Sequence, residues 1–116
     1  MKSNPIHSKD GRVTIYLINS KGEQFRGMSR CNSTDEVNPK IGDTLAKYRA
    51  ELAVRQRDLK EVRLAKEIAA EYMAELAPSQ SKLWGKWYQD ACRIEKAHLK
   101  HIRNLKNQIH TLCNEL

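Results

Sequence analysis

Residues 30–49 read RCNSTDEVNPKIGDTLAKYR. The stretch begins like the end of a β-strand, at Arg30-Cys31, and finishes like the first turns of a long helix. Asn38 is a good N-cap residue, and Pro39 at the first helical position has the correct φ and loses no needed donor. Asp43 in the early turns suits the positive end of the helix dipole. Between strand and helix lies a short polar turn carrying Asp35 and Glu36. Strand, acidic turn and capped helix in so few residues predict an α+β chain.

Toward the N-terminus, RVTIYLINS (residues 12–20) is rich in β-branched residues. It sets Val13, Ile15 and Leu17 on one face and Thr14, Tyr16 and Ile18 on the other, which predicts a strand. Asn19, Ser20, Lys21 and Gly22 supply a hairpin turn, and QFRGMSRC (24–31) returns as a weaker strand. Gly27 in its middle marks a bulge or a close backbone approach. Residues 1–11, with Pro5 and Gly11, read as a flexible arm. A lone two-stranded hairpin is marginal in water, so it must lean on something.

Toward the C-terminus, apolar residues recur at spacings of three and four: Ile41, Leu45, Tyr48, Leu52, Leu59, Val62, Ala69, Met73 and Leu76. Arg55 and Lys66 interrupt this heptad-like series. Pro78 breaks it, and Ser79 and Ser81 offer caps for a second helix, whose apolar face includes Leu83, Trp87, Ile94, Ile102 and Leu105. Folding back at Pro78 brings residue 116 near residue 42. The expected fold is α+β and mostly α: an N-terminal β-hairpin followed by a long, coiled-coil-like antiparallel helical hairpin. Its segments are an arm (1–11), hairpin and turn (12–37) and a two-helix hairpin (38–116), forming one domain. The rival is a single kinked helix in an intermolecular bundle.

The 116 residues are 40% hydrophobic and 30% charged with one Phe, a composition of long helices rather than a thick core. No run approaches ~18 uninterrupted apolar residues, so no membrane span is expected. MKSNPIHSKDG carries no apolar signal-peptide run, so the protein is expected to be cytoplasmic in the cell that makes it. Cys31, Cys92 and Cys113 are odd in number and form no CxxC pair, as in a reduced cytosolic protein without a disulfide framework. The net charge is +7, and residues 79–116 hold the largest share, with seven basic and three acidic residues. Such a balance favours nucleic acid or acidic partners.

The basic excess forms a row. Lys82, Lys86, Arg93, Lys96, Lys100 and Arg103 lie opposite the apolar face of the second helix. They read first as a solvated outer face, with phosphate contacts as the alternative. Trp84, Trp87 and Tyr88 sit beside the hairpin tip. Trp87 is expected to fill the tip core against Tyr72 and Met73, leaving Trp84 and Tyr88 at the edges as partner anchors. On the first helix, Val54, Leu64, Ile68 and Tyr72 fall off the main stripe. They either flank the seam or form a dimer or partner surface. His98/His101 and His110/Cys113 have a spacing a bundle metal site would use, but no carboxylates join them, and buried or interfacial histidines are the expectation. No P-loop, GxSxG or HExxH occurs. No catalytic residue, metal or cofactor is expected.

The stretch GRVTIYLINSKGEQFRGMSRCNSTDEVNPKIGDTLAKYRA (11–50) resembles a small module common in phage and prophage proteins of Gram-positive bacteria. The matching positions are Gly22, Arg30, Cys31, Asp35, Asn38, Pro39, Gly42, Leu45 and Ala46. The turn NSKGE departs from the module's more usual Asp-Gly pair. The resemblance implies a mobile-element origin and leaves the helices after residue 50 to carry the protein's own function. The expected function is inhibition of a host nucleic-acid-handling defence complex, as an anti-CRISPR or similar inhibitor. The helical arm would dock on a host protein or ribonucleoprotein. The alternatives are a direct DNA- or RNA-binding protein using the basic face, and a structural coiled-coil oligomer or homodimer.

Overall fold

The computed structural model describes residues 5–31, 39–75 and 78–115. Three strands precede two helices: β1 (Ile6–His7), β2 (Val13–Ser20), β3 (Glu23–Arg30), α1 (Pro39–Glu75) and α2 (Pro78–Glu115). The expected α+β fold with a helical hairpin is therefore present. The chain divides into two compact units, residues 1–55 with 102–116, and residues 56–101. The turn after Cys31 and the cap at Asn38 lie outside the described residues.

The first unit holds an antiparallel sheet of order β1-β2-β3. The β2–β3 register runs unbroken from Ser20↔Glu23 to Val13↔Arg30, so Gly27 is not a bulge. Lys21 (φ 52°) and Gly22 (φ 80°) make the two-residue turn, and two positive φ values in succession match the twist of the flanking strands. The N-terminal arm departs from expectation, because Ile6 and His7 pair with Ile15 and Thr14 as an edge strand. The physical reason is local. Ser8 bonds Val13 twice, N to O at 3.0 Å and Oγ from the Val13 amide at 3.1 Å. Asp10 accepts from the Ser8 hydroxyl at 2.6 Å and the Arg12 amide at 3.1 Å. His7 Nε2 meets Asp43 Oδ1 at 2.5 Å and ties β1 to α1.

Thr14, Tyr16 and Ile18 face α1 and are buried. They meet a row of small residues at helical spacing, Gly42, Ala46 and Ala50, with Ala46 and Ala50 fully buried. The small row lets the backbones approach closely. A Cβ on Gly27 would lie 1.9 Å from the Ala46 carbonyl oxygen and 2.4 Å from the Ala50 nitrogen. The contact stays polar at one end, where buried Ser29 donates from Oγ to the Gly42 carbonyl at 2.8 Å. On its other side the start of α1 lies along the end of α2. Leu45, Ile102 and Leu105 are buried there, and Arg49 reaches Met28 O at 2.6 Å and Cys113 Sγ at 3.7 Å.

The second unit consists of the remaining lengths of α1 and α2, running antiparallel. Met73 lies beside Gly85, while Lys66 meets Glu95 farther from the tip. Leu59 and Ala69 are buried. α2 begins at Pro78, so Ser79 and Ser81 stand inside its first turn and not at its cap. Among the described residues no helix is long and apolar enough to cross a membrane.

α2 has a single strong apolar face, whereas α1 has almost no net apolar direction. The apolar residues of α1 form two rows. One includes Leu45 and Leu59. The other starts with Ala46, Ala50 and Val54, and at 3.6 residues per turn Leu64, Ile68 and Tyr72 repeat the same wheel positions.

Candidate binding surfaces

In the second unit a single seam joins two helices, with Leu59 and Ala69 buried and the Lys66–Glu95 pair across it. Ala69 and Ala91 leave little depth for an indole. Trp87 is consequently 60% exposed, which corrects the expectation that it fills the tip core. It borders a groove of about 260 Å³ lined also by Val62, Ala65, Ala69, Asp90, Ala91 and Ile94. Ile94 is exposed as well. Tyr88 is half-buried, with Lys66 Nζ 5.6 Å from its ring centroid, a cation–π geometry. The side chain of Trp84 lies outside the described residues.

Lys66 interrupts the apolar series of α1 for a reason visible only across the seam. Its Nζ lies 2.9 Å from Glu95 Oε1, and Arg63 Nε lies 3.0 Å from Oε2 of the same carboxylate. The hydrogen bond from Lys66, then that from Arg63, holds Glu95 below the usual carboxylate range. The same hydrogen bond with Glu95 raises Lys66 above the usual lysine value. Sequence reading missed this cluster. Its signal was a cation in one apolar series and an acid beside the facing one.

The row of cations on α2 is exposed throughout. Lys82, Lys86, Arg93, Lys96 and Lys100 belong to the second unit, and Arg103, in the first, is exposed too. Arg93 pairs with Asp90 at 3.3 Å. On α1, Leu64, Ile68 and Tyr72 are 58%, 42% and 48% exposed. Val54 behaves differently, packing partly buried against Tyr16, Ile18, Ala46 and Ala50. It belongs to the sheet–helix contact. The sheet that covers Val54 was not assigned a face by the sequence alone. His98 is half-buried, and His101, His110 and Cys113 are exposed. Among the described residues no group of three or more His, Cys, Asp or Glu is placed to hold a metal ion.

Comparison with known protein families, curated proteins and solved structures found no match.

Proposed function

We propose that this chain is a binding protein whose second unit docks on a protein of a host nucleic-acid-handling defence complex and blocks it. An anti-CRISPR or related inhibitor encoded by a phage or prophage is its concrete form. The observation that carries the docking reading is the exposure of Trp87 beside an apolar groove, with Lys82 and Lys86 exposed on the same turns of α2. An indole left in water is a favoured interface anchor, and truncating such an anchor commonly costs about 2 kcal/mol or more of binding. The phage-module resemblance of residues 11–50 supports the origin.

The test is capture from a bacterial lysate with and without nuclease, followed by reconstitution with the captured protein. A stable complex that survives nuclease and weakens by about thirtyfold on Trp87→Ala supports the reading. The exposed cation row favours a second reading, direct binding of DNA or RNA along α2. Recovery of nucleic acid alone, with affinity falling steeply as salt rises, would replace the first reading with this one.

A further inference from the structure

The outer face of the sheet is built to be covered. The register places Ile6, Val13, Ile15, Leu17 and Met28 together, opposite the face that packs on α1. Ile6 is 52% and Met28 43% exposed. The run VTIYLI has no polar alternation on this side, the pattern of a strand covered on both faces rather than one. The only charged residues the strands place on this outer face are Arg26 and Arg30, both exposed and neither paired with a carboxylate among the described residues.

A surface with the opposite character occurs in the same chain. Leu64, Ile68 and Tyr72 stand exposed along α1, on the same wheel positions that carry sheet-packing side chains earlier in the helix. Exposed Glu67, Glu71 and Glu75 accompany them, and α1 has no Lys or Arg after Lys66. Glu71 and Glu75 share the wheel sector of Leu64 and Ile68. The lengths agree. Leu64 to Tyr72 spans ~12 Å along a helix and Arg26 to Arg30 ~13 Å along a strand, while Glu71 and Glu75, ~6 Å apart along the helix, lie beside the Tyr72 end of the stripe.

We propose that a second copy of this chain covers the sheet. The Leu64–Ile68–Tyr72 stripe of one copy lies on the outer sheet face of the other, and Glu71 and Glu75 meet Arg26 and Arg30. The reciprocal pair of contacts closes a two-fold dimer. The sheet then has helix on both faces, and both exposed apolar surfaces leave water. The cationic row and Trp87 are not used, so the dimer is independent of the docking reading.

The experiment is sedimentation equilibrium on the full chain across a concentration series, with circular dichroism to confirm that every variant is folded. The wild type is expected to be a dimer. Arg26→Glu/Arg30→Glu and Glu71→Lys/Glu75→Lys should each weaken association at least tenfold, because like charges then face each other. An equimolar mixture of the two should restore it, because both contacts of the mixed dimer are complementary. A wild type that stays monomeric would overturn the proposal, including one that associates only with another protein or an anionic surface. So would unchanged association of the Arg26→Glu/Arg30→Glu variant, which would move the contact to another face such as the basic row of α2. A mixture that fails to restore association, or assemblies that grow without limit, would equally overturn it.

Discussion

Gly27 decides how closely sheet and helix meet. Its missing Cβ is replaced by backbone atoms of Ala46 and Ala50, which cannot rotate away as a side-chain tip can. Gly27→Ala should therefore destabilise the fold by about 3 kcal/mol, the upper range for overpacking, measured as a fall in the denaturant midpoint. Lys21 illustrates the opposite case. It holds φ at 52° without being glycine, a conformation that asparagine adopts at lower cost. Lys21→Asn converts the turn to Asn-Gly and should stabilise by about 0.5 kcal/mol in the same assay. Both residues were partly legible in the sequence. The close approach at Gly27 was one of two readings, and only the unbroken strand register removes the bulge. The turn was located within Asn19–Gly22, but its two central residues and their backbone angles were not.

At the scale of elements, β2, β3, both helices and the break near Pro78 follow from local signals: period-two branching, period-three-and-four apolar spacing, and proline. What the sequence did not yield was which side each element turns to its neighbour. Val54 and Ile68 have the same wheel logic, yet one packs against the sheet and the other is exposed. That difference depends on where the sheet ends, a tertiary fact. The edge strand Ile6–His7 was missed for a similar reason, since two residues have no periodicity to read. The Arg63–Lys66–Glu95 cluster gives the element scale its test. The depressed Glu95 contributes stability above the ordinary glutamate range and loses it as pH falls through its folded value. The raised Lys66 contributes below the ordinary lysine range and loses it as pH climbs through its folded value. Glu95→Gln should thus lower Tm by only a few degrees across neutral pH, because the cluster is partly solvated. The difference from wild type should begin to shrink as pH falls through the ordinary glutamate value of about 4.3 and vanish only below the depressed folded value, where the wild-type carboxylate takes up its proton. A difference that persisted in acid would mean that packing, and not charge, accounts for the loss.

For the whole molecule the question is how a net charge of +7 is used. Beyond its last cation, Lys66, α1 carries only acids, Glu67, Glu71 and Glu75, while the cations of α2 run from Lys82 to Lys106. A charge pattern of this kind separates the two functional readings by their response to salt. If α2 grips phosphates, each cation that does so contributes about one unit to the slope of log affinity against log salt, and neutralising it removes that unit. Lys96→Gln/Lys100→Gln should then weaken binding to a DNA or RNA duplex at low salt and flatten the slope by about two, with Trp87→Ala having little effect. If the second unit docks on a protein, the order reverses. Trp87→Ala should weaken the complex by about thirtyfold at every salt concentration, since burial of an indole is little screened. The Lys96→Gln/Lys100→Gln change should mainly slow association, and that slowing should fade as ionic strength rises. Titrating both variants against the captured partner across salt distinguishes the two by the shape of the response, and a Trp87→Ala variant that binds as tightly as wild type would remove the groove from the mechanism.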